Sequence, residues 1–257
     1  MLKKYIHEDL KRNFSIAIIW ICGGSDMDRN GKKGLNSILC SLLTRGCEGF
    51  DNLALSDFIE KYGAELNHEV SEDGIFLSIK SLNSHFSKLI PLLDLIINKP
   101  TLSSSQFQIV KKSALNLIKK DKENPFNICF EKWRKIVYLK NPYAFNAIGY
   151  EKDVSGILYE DVLCEYERFR NRSKFLISNN PKVNGKNLNL FDKGLNNESS
   201  SIQNYEASNI NRFVSYCFES NQTIIMLGNQ TCSRRSDEHL SLKILESHLS
   251  FGMSSAL

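Results

Sequence analysis

Two spacings of apolar residues, near 3.6 and near 2, alternate along the chain, and the switches between them mark its elements. In residues 34–46, GLNSILCSLLTRG, Leu35, Ile38, Leu39, Leu42 and Leu43 fall at i, i+3, i+4, i+7 and i+8, one stripe of an amphipathic helix. Residues 4–8 and 14–22 predict strands, the second (FSIAIIWIC) rich in β-branched and aromatic side chains. A helix over 51–62 carries Leu55, Phe58, Ile59 and Tyr62 on one side and stops at Gly63. Residues 64–71 and 75–81 predict a hairpin turning at Glu72-Asp73-Gly74. Helices follow over 84–98, capped by Ser84 and kinked or broken at Pro91, and over 103–122, with Phe107, Val110, Ala114, Leu117 and Ile118 as its apolar positions. Further helices are predicted over 126–139 and 159–170, and a closing strand over 174–178.

Beyond that strand the pattern fades. Residues 181–202 are rich in Asn, Gly, Ser and Lys and predict a linker between a first domain, 1–180, and a second unit, 203–257. The second unit offers the apolar runs 213–219 and 223–227 and a helix over 237–250 with Asp237 as N-cap. A hydrophobic share of 42% over 257 residues suffices for one large core or two smaller ones. The excess of 33 basic over 29 acidic residues, +4, is scattered, which argues against a nucleic-acid partner, and the lysine runs at 111–112 and 119–122 suit the wet face of a helix. No apolar run approaches the ~18 residues of a membrane span, and the N-terminus lacks the apolar centre of a secretory signal. Seven cysteines without CxxC pairing suit reduced thiols in the cytoplasm.

Candidate chemistry enters with the same helix. Ser37, Cys40 and Ser41 lie off its apolar stripe at i, i+3 and i+4, a spacing at which three side chains share a second face. Metal-site helices use this frame, two ligands at i and i+4 reaching one ion while the residue at i+3 handles water. Here the slots hold Ser, Cys and Ser. The flanks, GGSDMDRNGKKGLNSILCSLLTRG, resemble the N-terminal signature of the M16 (insulinase, pitrilysin, mitochondrial processing peptidase) family, matching at Gly24-Ser25, Lys33-Gly34-Leu35, Leu39, Leu42-Leu43 and Arg45-Gly46. In that resemblance Ser37 stands for the first zinc-binding His of His-x-x-Glu-His, Cys40 for the catalytic Glu and Ser41 for the second His.

Other stretches extend the resemblance in order. Gly63, Leu66-Asn67 and Asp73 are similar to the family strand that lies beside the zinc and offers its edge to an extended peptide, which makes Asn67, His68 and Glu69 the candidate peptide contacts. His68 and Glu69 replace a small residue and an aromatic, and a lone His beside a Glu on a strand predicts a surface pair. The third zinc ligand of the family, a Glu, would fall within Ala114-Leu115-Asn116-Leu117, where no carboxylate occurs between Asp94 and Asp121. Asn124-Pro125, Asn141-Pro142-Tyr143 and the run AFNAIGYEKDVSGI match further family motifs, and Gly252-Met253-Ser254-Ser255 is similar to the opening of the family's second domain, so that domain is expected to be incomplete.

The resemblance implies an α+β fold of M16 type (LuxS/metallohydrolase-like), an antiparallel sheet packed by helices on one face, in a two-domain chain. It implies a non-catalytic homologue that holds no cofactor, zinc being the family's, and that supports a zinc-bearing partner chain with His-x-x-Glu-His, both acting on an extended peptide. A thiol enzyme built on Cys40 would need a base beside it, and none is adjacent in sequence. A stand-alone α+β binding module unrelated to proteolysis is the remaining alternative.

Overall fold

The computed structural model describes residues 3–7, 12–139, 141–180, 183, 213–219, 221–234 and 236–250. Its centre is one sheet of five strands in the order β1-β5-β2-β4-β3, with β1 Lys3–Ile6, β2 Phe14–Cys22, β3 Glu65–Val70, β4 Gly74–Leu82 and β5 Lys174–Ser178. All pairings are antiparallel except β1 with β5. The expected antiparallel sheet packed by helices is present, and this one parallel pairing adds to it. The chain reverses between β1 and β2, but β5 inserts between them antiparallel to β2, so it must run alongside β1. The strand predicted over 4–8 forms at Lys3–Ile6.

Strand β2 alternates strictly: Ser15, Ala17, Ile19 and Ile21 are buried on one face, and the residues between them are half-buried on the other. The buried set joins Ile75, Leu77 and Ile79 of β4 and Leu176 of β5 beneath the helices. These are α1 Leu35–Leu43, α2 Asn52–Lys61, α3 Asn83–Asn98, α4 Ser104–Asp121, α5 Pro125–Tyr138, α6 Glu151–Gly156 and α7 Tyr159–Arg170. Helix α3 packs on β4 and β2, while α1 lies among β3, α4 and α7. The opposite face carries a row of rings: Trp20 stacks on Phe175 at 5.1 Å and on Phe76 at 6.3 Å.

Several local expectations change. The first residue of α3 is Asn83, and no side chain caps it from Leu82. Ser84 is therefore inside the helix, and Asn83 instead anchors the turn through Ser15 Oγ at 2.5 Å and Arg12 O at 2.9 Å. Pro91 neither ends nor breaks α3; it sits on the exposed side, as does Ser87, so the carbonyl that loses its amide partner turns to water. In α4 the buried stripe is Phe107, Val110, Ala114 and Ile118, and Leu117 points outward at 53% exposure. Gly74 belongs to β4 rather than to the turn, and a Cβ there would lie 2.1 Å from Trp20 Nε1.

Among the described residues of the second unit, 213–219 and 221–230 form neither helix nor strand, and α8 spans Glu238–Ser250 with Asp237 just before it. Ile128, Cys129, Trp133 and Ile136 of α5 and residues 213–218 and 222–227 line a cavity of about 560 Å³. The expected linker, apart from Val183, and the Gly252–Ser255 motif lie outside the described residues. Among the described residues no helix is long and apolar enough to cross a membrane.

Candidate functional site

Helix α1 is placed from its N-terminus. Asp28, in the loop after β2, accepts hydrogen bonds from Gly34 N at 2.7 Å, Asn36 N at 2.9 Å and Asn36 Nδ2 at 2.8 Å, meeting the free amides that open the helix. Arg172, beyond the end of α7, donates to Asn36 Oδ1 at 3.0 Å and to Gly23 O at 2.9 Å, and pairs with the fully buried Glu165. The Asn-Pro motifs prove to be caps. Asn124 accepts from Phe126 N at 2.9 Å and Asn141 from Tyr143 N at 3.0 Å, each with Pro at the next position. The second of these turns grips the β3–β4 hairpin: Tyr143 donates to both carboxylate oxygens of Asp73 at 2.5 Å, and Arg134 pairs with Glu72.

The three slots of the α1 frame do not share one face. Helices α4 and α7 and the sheet cover so much of α1 that its buried arc spans about 200° rather than the usual stripe of about 100°. That arc takes in Cys40, which is 0% exposed and packs with Leu39, Leu42 and Leu43. Burial drives its thiol far above the ordinary cysteine range. Only Ser37 and Ser41 remain half-buried on the open side, joined by Thr44. Cys40 is therefore a core residue. Alkylation of the folded protein with iodoacetamide is expected to modify the exposed Cys164 and Cys217 and to leave Cys40 untouched until denaturant is added. Modification of Cys40 as fast as those two would restore a nucleophilic thiol.

The strand alternation splits the three candidate peptide contacts. Among the described residues β3 is an edge strand, paired only with β4. Asn67 lies opposite Ser78 and Glu69 opposite Phe76, on the sheet face that carries the rings, whereas His68, opposite Leu77, turns toward the helices. His68 and Glu69 are therefore no surface pair; they point to opposite faces. The imidazole instead meets α1: Nε2 lies 3.0 Å from Ser41 Oγ and Nδ1 lies 3.3 Å from Thr44 Oγ1. The residue keeps an exposed side, yet desolvation by the atoms packed round the ring, with Arg45 nearby, lowers its pKa from the ordinary histidine value.

Thr44 was not visible as a site residue in the sequence, although its place three residues after Ser41 put it on the same side. In α4, Ala114 is buried and Asn116 is exposed. Among the described residues no group of three or more His, Cys, Asp or Glu gathers as a metal-ion ligand set.

Three solved structures share the fold at low identity. The peptidase M16 inactive domain from Pseudomonas fluorescens is 20% identical with a TM-score of 0.63, over 69% of this chain and 43% of that one. A conserved protein from Enterococcus faecalis V583 is 14% identical with a TM-score of 0.61, over 69% and 46%. A protease from Helicobacter pylori is 14% identical with a TM-score of 0.72, over 99% and 63%. The chain thus spans less than half the length of the first two and less than two thirds of the third. No curated protein matches it. The sequence matches the family described as Insulinase (Peptidase family M16) over residues 5–149, a stretch that runs from β1 through α5 and holds α1 and the β3 edge. The chain belongs to that family.

Proposed function

We propose that the chain is a non-catalytic M16 homologue, a peptide-binding or structural subunit that supports a zinc-bearing metallopeptidase partner. The composition of the α1 frame carries this reading. A serine hydroxyl is rarely ionised and is a poor zinc ligand beside imidazole or carboxylate, so Ser37 and Ser41 do not suit the ion. The thiol at the middle slot is sealed in the core, and α4 offers Ala114, Leu115, Asn116 and Leu117 where a carboxylate would be needed. Structural zinc sites draw ~10–16 kcal/mol from a complete ligand set, and these residues would supply almost none of that. One of the similar solved structures is itself described as an inactive domain.

The open side of β3 supports the binding half of the reading, because a sheet edge can take an extended peptide as a further strand. All seven cysteines are free, in keeping with a reducing compartment such as the cytoplasm. A tagged pull-down from the native cells, with co-purifying chains identified by mass spectrometry, tests the pairing. Recovery of a stoichiometric chain carrying His-x-x-Glu-His, and cleavage of peptides by the pair but not by this chain alone, is the expected result. Recovery of the protein by itself would overturn the pairing and leave a stand-alone binding module.

A further inference from the structure

Ser41, His68 and Thr44 form a hydrogen-bonded chain whose polarity can be worked out proton by proton. Thr44 Oγ1 lies 3.0 Å from the carbonyl oxygen of Ser41, which can only accept, and this contact, shorter than the one to His68, assigns the threonine proton to the carbonyl. With that proton used, Thr44 Oγ1 can only accept from His68, at 3.3 Å, and this requires the proton on Nδ1. A neutral imidazole protonated on Nδ1 carries its lone pair on Nε2, and Nε2 stands 3.0 Å from Ser41 Oγ. In that tautomer Ser41 Oγ–H is the donor. Desolvation by the atoms packed round the ring and the nearby Arg45 both lower its pKa, which favours the neutral, proton-accepting form. His68 is exposed and Ser41 half-buried, so a reagent can approach both from solvent.

We propose that Ser41 is a histidine-activated nucleophile that takes up the acyl group of a carboxylic ester, with His68 as its base and Thr44 as the positioning residue that fixes the tautomer. The arrangement follows the logic of a nucleophile, a base and an orienting group, with a hydroxyl as the orienter. Ser41 Oγ bonds to the ester carbonyl carbon as its proton passes to His68 Nε2. The bond to the alcohol oxygen breaks and the alcohol leaves with that proton. Water then adds to the acyl carbon, giving a proton to Nε2, and Ser41 Oγ departs and recovers it. This goes beyond the proposed support of a partner chain, where non-catalytic means without zinc peptidase activity, since peptide binding at β3 needs no nucleophile.

A fluorophosphonate is the probe: Oγ would bond to phosphorus, fluoride would leave, and the serine proton would pass to His68. Reaction of the full chain followed by peptide mapping is expected to place the adduct on Ser41. The rate is expected to fall by at least about tenfold in His68→Gln, less than the roughly 10²–10⁴-fold of a positioned general base because the probe is poorly matched, and to be unchanged in Ser56→Ala. In wild type the labelling rate should rise with pH through a midpoint below the ordinary histidine value. Thr44→Val should slow labelling, and ¹⁵N NMR should show the His68 proton moving from Nδ1 toward Nε2. An adduct elsewhere, equal rates in wild type and a folded His68→Gln variant, or an Nε2–H tautomer in wild type would each overturn the proposal. The pull-down result is independent of all three.

Discussion

Gly149→Ala is expected to cost about 4 kcal/mol of folding stability, enough to leave a large unfolded fraction at 37 °C in a protein of ordinary stability. Gly149 has φ +85°, and a Cβ there would meet Lys33 O at 2.1 Å and Gly34 Cα at 2.8 Å. The neighbouring contact runs the other way, since a Cβ on Gly34 would meet Ile148 O at 2.5 Å. Two backbones are pressed together at the start of α1, and backbone atoms cannot rotate aside as a side chain can. The loop would have to lift off, taking the core contacts of Ile148 and Val154 with it. Gly31→Ala is the matched control, with φ +77° but nothing within 4 Å of the added Cβ. It should cost only the left-handed strain, about 1 kcal/mol. Urea denaturation of both variants measures the difference. Equal losses would mean that the close approach contributes nothing.

The second large effect lies in the buried ion pair. Glu165 is 0% exposed and meets Arg172, itself 9% exposed, on one side and Arg168 at 2.8 Å on the other. Glu165→Leu would leave the Arg172 guanidinium buried without its carboxylate, with the buried Lys174 close in sequence. A loss of about 3–5 kcal/mol is expected, the penalty for stranding a buried charge. Arg172→Met should cost as much or more, because it also removes the hydrogen bonds to Gly23 O and Asn36 that steady the start of α1. The double variant should cost less than the sum by about 2 kcal/mol or more, since neither charge is then stranded. Additivity within about 0.5 kcal/mol would show the two charges to be independent.

Local pattern was legible where the neighbours lie close in sequence. The stripe of α1, the Gly63 stop of α2 and the Asn141-Pro142-Tyr143 turn depend on residues within one or two turns of each other, and the structure forms them where the spacing put them. What escaped depends on distant packing. Cys40 looked like part of an open face because a single helix has one stripe; α4 and α7 widen the covered arc, and nothing within residues 34–46 records that. Leu117 read as core for the converse reason, lying on the side of α4 that no described element covers. His68 was grouped with its sequence neighbours Asn67 and Glu69, yet its partners are 24 and 27 residues earlier, on another element. Only the strand register, which turns alternate side chains to opposite faces, separates them.

The place of β5 between β1 and β2 sets an order on synthesis. Strands β3 and β4 meet across a short turn, Val70 opposite Ile75, whereas Lys3 meets Phe175 only after most of the ordered chain has been made. By the loop-closure relation the longer connection costs about 3 kcal/mol more in chain entropy than the hairpin. While the ribosome is still making α4 to α7, one side of β2 stands open and β1 has no strand to join. A nascent chain halted before residue 174 would therefore expose Ile18 and Trp20 along a bare edge, the kind of surface that holdase chaperones bind.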